Sequence, residues 1–177
     1  EQDSMSGEQL RVLPLLDRLT PLDGMSPDSV AKIRGMYKHT LCRNTLMIHR
    51  LAEVQTALLD AGFSPMIGLK GLPALVYINK GIGARPMADV DVLVPELHED
   101  PDSAMAVFQR LGYHVKSGGF RSVTLLSPDG LELDIHWLIQ DWAITKDLVN
   151  IVATHAHNQT FLDQAFLIPR IEHHLAH

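Results

Sequence analysis

Apolar positions in the first third of the chain recur at helical spacing. In "SPDSVAKIRGMYKHTLCRNTLMIHRLAEVQTALLDAG", Val30, Ile33, Met36, Tyr37, Leu41, Ile48, Leu51, Val54 and Leu58 form one stripe, with Thr45 filling a gap. Ser26 as N-cap and Pro27 in the first turn open this helix, and Gly62 closes it. Gly35 is a candidate break. The earlier "EQLRVLPLLDRL" has the same spacing, with Pro14 expected to kink or end it.

From Phe63 the period changes. "SPMIGLKG" predicts a short strand, "LPALVYIN" a helix and "DVDVLV" a strand. "DPDSAMAVFQRLG" predicts an amphipathic helix ending at Gly112. "YHVKS", "FRSVTLLS" and "LELDIHWLI" predict strands, the last two joined by the turn "PDG". Helical segments are expected from there to the end, where "IPRIEHHLAH" opens a last helix. The fold class is α+β, a small mixed sheet with helices on one side. The expected organisation is a helical region over 1–62, a core over 63–142 and a C-terminal helical segment over 143–177.

Composition narrows the class. The chain has 177 residues, 46% of them hydrophobic, enough for one domain with a core plus a helical extension. A formal net charge of -6 argues against non-specific nucleic-acid binding. The single cysteine, Cys42, excludes an internal disulfide or a cysteine zinc cluster and suggests a reducing, cytoplasmic setting. No apolar run approaches the roughly 18 residues of a membrane helix. Glu1 in place of Met, and a helix just opening at the other end, suggest a piece of a longer protein.

The carboxylates carry the candidate chemistry. Alternation along "ADVDVLV" puts Asp89 and Asp91 on one face, their Cα atoms roughly 6.5–7 Å apart, with Val90, Val92 and Val94 on the other. Two carboxylates at ~4 Å repel by about 4 kcal/mol at an effective dielectric near 20. A divalent cation, a basic partner or a shared proton must offset that, and hard oxygen donors favour Mg²⁺ or Mn²⁺. "LELDIHW" repeats the alternation, with Glu132, Asp134 and His136 on one face. Beside "DVDVLV", one of its acids would complete a trio able to hold cations ~3.5–4 Å apart. "GLKG" ends a strand and enters a helix, so Gly71 would let phosphate approach helix N–H groups, with Lys70 and Arg85 adding positive charge.

A strand ending in a glycine turn, a helix, paired acids on a second strand and a lone acid on a later one resemble the DNA-polymerase-beta-like nucleotidyltransferase superfamily. More narrowly, Leu69-Lys70-Gly71, Tyr77, Arg85, "ADVDVLV" and "LDIHW" resemble an uncharacterised bacterial nucleotidyltransferase-like family, from about Val30 onward. The resemblance implies the polymerase-beta-like fold and transfer of a nucleoside monophosphate from an NTP to an acceptor, releasing pyrophosphate. It implies Mg²⁺ held by Asp89, Asp91 and Asp134, and selects Asp134 over Glu132. Gly71 matches the glycine of the phosphate turn. The acceptor, whether small molecule, protein or RNA, is not named by it. One departure stands out: the superfamily usually has Gly-Ser or Gly-Gly at the turn, where this chain has Gly71-Leu72.

Plainer readings stand beside these. Asp89 and Asp91 alone could mark a solvated edge strand, Lys70 a solvated lysine, and Arg85 a loop brace paired with an aspartate. His136 fits orienting an acid, and Trp137 fits core packing. His173 and His177 are one helical turn apart, but no Glu-flanked HExxH pattern supports zinc. The rival to an enzyme is an inactive nucleotide-sensing or protein-binding module on the same fold.

Overall fold

The structure is a computed structural model that describes residues 7–77, 81–139 and 145–175. Its elements are α1 (Gly7–Leu19), α2 (Pro27–Asp60), β1 (Ile67–Gly68), α3 (Gly71–Tyr77), β2 (Asp89–Leu93), a 3₁₀ turn (Pro95–His98), α4 (Pro101–Arg110), β3 (His114–Gly118), β4 (Ser122–Leu126), β5 (Glu132–His136), α5 (Thr145–His155), β6 (His157–Phe161), β7 (Gln164–Ile168) and α6 (Ile171–Leu175). The fold is α+β, as expected. Its chain forms two compact units, Glu1–Leu46 with Ala74–Met87, and Met47–Pro73 with Ala88–His177. The expected boundary at 142 lies outside the described residues.

The first unit is mainly helical. Pro14 sits inside α1 without ending it, and α2 passes Gly35 unbroken. A proline removes one ladder bond and a glycine costs about 1 kcal/mol, losses that neighbouring turns can absorb. The Arg18 guanidinium lies over the Tyr37 ring, 5.3 Å from its centroid. Asn44, fully buried, fastens the glycine-rich loop. Its amide donates to the carbonyls of Ile82 at 2.6 Å and Arg85 at 2.7 Å, and its oxygen accepts from the Met87 N–H at 3.3 Å. Gly83 is needed there, because a Cβ would stand 2.7 Å from the Tyr37 ring. Asn44→Ala strands three backbone groups and is expected to cost about 3 kcal/mol, read from urea unfolding midpoints.

The second unit holds a seven-stranded sheet in the order β3-β4-β5-β2-β1-β7-β6. β2 and β5 are parallel neighbours, with Asp89 opposite Glu132, Asp91 opposite Asp134 and Leu93 opposite His136. Val90 and Leu133 share a face with Met47 and Leu51 of α2, which line a narrow space against them. Leu93 faces the other way and packs with Ile67, Leu69, Ile139 and the α5 residues Val149 and Val152. Helices therefore cover both faces, where the sequence led us to expect one. The cause is the continuous run Val90–Val94, broken only by Asp91, which suits a strand buried on both sides. Arg50 of α2 forks onto Asp129 in the β4–β5 turn at 2.5 and 2.7 Å and pairs with Glu53 at 2.8 Å.

The region expected to be helical to the end contains a hairpin instead. β6 and β7 pair antiparallel, and β7 joins the sheet beside β1 through Ile67 and Leu167. The two-residue turn is Leu162-Asp163, both left-handed at φ 49° and 64°. That backbone normally calls for Asn-Gly or Asp-Gly, so the usual turn signal is missing. α6 does open where "IPRIEHHLAH" placed it.

Candidate active site

The acids meet in the second unit. One donor atom each from Asp91, Asp134 and His136 lies within 4.8 Å of the others. Parallel register puts Asp91 beside Asp134, and alternation brings His136 round to the same face two residues later. Asp91 is only 3% exposed. Its Oδ1 accepts from Lys70 Nζ at 2.5 Å and contacts His136 Nε2 at 3.1 Å. Burial works against the Asp91 charge, but the hydrogen bonds from His136 and Lys70 outweigh it and hold the carboxyl below its ordinary range.

Asp89 stands just outside this compact set, at the first residue of β2. Burial, then the charges of Asp91 and Asp134, push its carboxyl up. The close donor set thus differs from the expected trio in one member: His136 is inside and Asp89 adjoins it. The signal for His136 was its alternation with Asp134 in "LDIHW". Glu132 lies opposite Asp89 and forms an ion pair with Lys116 of β3.

Does this set suit a divalent cation? Two carboxylates and an imidazole are ordinary ligands for one. Asp134 Oδ1 is buried and has no hydrogen-bond partner, an oxygen left without the donor or cation that burial normally demands. The donors fit.

The turn beside the acids is built for close approach. At Gly68 a Cβ would stand 2.7 Å from Leu72 Cδ1, so glycine lets β1 lie directly against α3. Lys70 follows in the left-handed region at φ 44°, a conformation that costs a non-glycine residue about 1 kcal/mol or more. This strained backbone delivers its ammonium to Asp91, while Leu69 N–H donates to the Asp91 carbonyl at 2.8 Å. Leu72, where the superfamily usually has Ser or Gly, is 1% exposed and packs into the core. Its N–H donates to the Leu69 carbonyl at 3.3 Å, and Pro73 has none, so Gly71 is left to offer an N–H in that first turn.

Arg85 belongs to the first unit, where its side chain is exposed and its carbonyl is held by Asn44. The Trp137 indole donates to the Phe120 carbonyl at 2.9 Å. His155 and His173 meet edge to face at 5.6 Å, and His177 lies outside the described residues. Among the described residues, no helix is long and apolar enough to cross a membrane.

Residues 8–177 match the model of a family described as uncharacterised nucleotidyltransferase. The chain belongs to that family. Among solved structures, it is similar to the crystal structure of ANT(2")-Ia in complex with adenylyl-2"-tobramycin, at 15% identity and a TM-score of 0.51, over 72% of this chain and 69% of that one. At that identity the likeness concerns the fold, which is of the nucleotidyltransferase kind. No curated protein matches the sequence. Family and fold together support nucleotidyl transfer as the general activity.

Proposed function

We propose that this nucleotidyltransferase moves a nucleoside monophosphate from an NTP to an acceptor hydroxyl, the new bond forming at the α-phosphorus as the α–β phosphoanhydride breaks and pyrophosphate leaves, with Mg²⁺ or Mn²⁺ held at the acid cluster. The observation that carries this reading is the side-by-side placement of Asp91 and Asp134, with Asp134 Oδ1 buried and unpartnered. Asp91 and Asp134 would be the principal ligands, with Asp89 and His136 adjoining. A divalent cation bound there supplies neutralising charge for phosphate oxygens and lowers the pKa of a coordinated hydroxyl. Lys70, about half exposed, keeps its ammonium at the cluster, where it can turn to a phosphate oxygen. Gly71 offers an N–H beside it. His136 fixes the orientation of Asp91.

A second reading, a nucleotide-sensing module without turnover, draws on Leu72. A leucine there leaves the phosphate turn without a hydroxyl, and Pro73 removes one more donor. The two readings separate by experiment. Mg²⁺ with at least one NTP is expected to raise the melting temperature, and α-labelled NTP is expected to label an acceptor in lysate. A thermal shift without label transfer would favour the sensing module. No shift with any NTP would overturn both.

A further inference from the structure

A cleft of about 590 Å³ opens where the two acid-bearing strands end, within the second unit. β2 runs out of Leu93 into the turn carrying Glu96, with Glu99 just after it, and β5 runs out of His136 into Trp137. Val94 N–H donates to the His136 carbonyl at 2.8 Å, so the two strand ends stay together at the mouth. The space outside the carboxyl ends of neighbouring parallel strands is a common place for a ligand. Its volume suits a small molecule.

The lining has a definite chemistry. Phe120 and Trp137 give it an aromatic wall, and Glu96 and Glu99 an acidic one, with no lysine or arginine among the described residues that line it. Phe120 is 77% exposed, a large apolar side chain presented to solvent beside the cleft. Trp137 is braced by its hydrogen bond to the Phe120 carbonyl. Glu96 Oε1 accepts from Ser64 Oγ at 2.5 Å, but its Oε2 is buried with no hydrogen-bond partner. Glu99 lies 3.9 Å from His98 and its side chain is 69% exposed. An aromatic face attracts a cation, and a buried carboxylate oxygen lacking a donor calls for one.

From this we infer that the cleft binds an amine-bearing, positively charged small molecule and is the acceptor site, with Glu96 taking an ammonium and Trp137 or Phe120 covering it. The acceptor role rests on the nucleotidyl-transfer reading; the cation binding does not. Trp137 of the lining directly follows His136 in the chain, and His136 Nε2 contacts Asp91 Oδ1 at 3.1 Å.

The test is titration calorimetry with tobramycin and spermidine as cationic probes and trehalose as the uncharged control, without nucleotide. Either amine is expected to bind while trehalose does not, and added salt should weaken the binding. Glu96→Gln and, separately, Glu99→Gln should weaken it, the former about tenfold. Glu99→Gln guards against a folding defect, since Glu99 is exposed. Neither change should alter the Mg–NTP thermal shift. No heat from either amine, equal heat from trehalose, or binding indifferent to both variants would overturn the inference. Amine binding in a protein that never binds Mg–NTP would overturn the acceptor role and leave the cation site standing.

Discussion

Asp134→Asn is expected to abolish nucleotidyl transfer and the Mg–NTP thermal shift while leaving the unliganded protein as stable as before, or more so. Asp134 contributes a buried oxygen with no partner, and its charge is one of the causes that push Asp89 up. Both effects disfavour the folded state in the absence of a cation. Asparagine keeps the shape and removes the charge. The gain is expected to be up to about 1 kcal/mol, or ~2–4 °C in Tm. The loss of activity should be far larger, about a thousandfold or more, because a cation ligand stabilises transition-state charge by several kcal/mol. Calorimetric melting with and without Mg–ATP reads the stability, and α-label transfer reads the rate. A variant that melts well below wild type yet keeps its nucleotide shift would show a structural acid and not a cation ligand.

This opposition between function and stability also explains which parts of the site the sequence revealed. A charged residue inside an apolar strand breaks a strong pattern, so Asp89 and Asp91 stand out, as do both Glu132 and Asp134 on the later strand; the family resemblance, not the pattern, selects Asp134. Their shared face followed from two-residue alternation alone. The pairing of β2 with β5 was a conditional reading, and the register made it real. What stayed hidden depended on geometry that alternation does not carry. Lys70 meets Asp91 from a left-handed backbone, which nothing in "GLKG" announces. The β6–β7 hairpin was missed because Leu162-Asp163 adopts a turn usually made by Asn-Gly. The cover on both faces of the sheet is not legible because α5 packs on Leu93, which strand alternation places on the same side as Asp89 and Asp91.

Asp91→Asn is expected to lose the same activity, again about a thousandfold or more, but with the opposite effect on stability. The Asp91 carboxylate holds two donors, Lys70 Nζ at 2.5 Å and His136 Nε2 at 3.1 Å. Neutralising it weakens both contacts. Lys70 is half exposed, so water compensates much of its share, and relief of Asp89 trims the cost further. A net loss of about 1 kcal/mol at neutral pH remains. Its pH dependence has a definite sign. The folded Asp91 carboxyl sits below its ordinary value of 3.8, so its stabilisation is present above that pH. It fades as the pH falls from there through the depressed folded value, because the unfolded chain takes up the proton first. The stability gap between wild type and Asp91→Asn should therefore close in acid, measured by urea unfolding at neutral pH and at successive steps below 3.8. Asp89, pushed up, works in the opposite direction, and less strongly in the variant because the Asp91 charge is one cause of that push, so the gap reads Asp91 together with its coupling to Asp89. A gap that widens in acid would mean that burial, and not Lys70 and His136, governs this carboxylate, and the picture of a cation-ready cluster held by its own basic neighbours would fail.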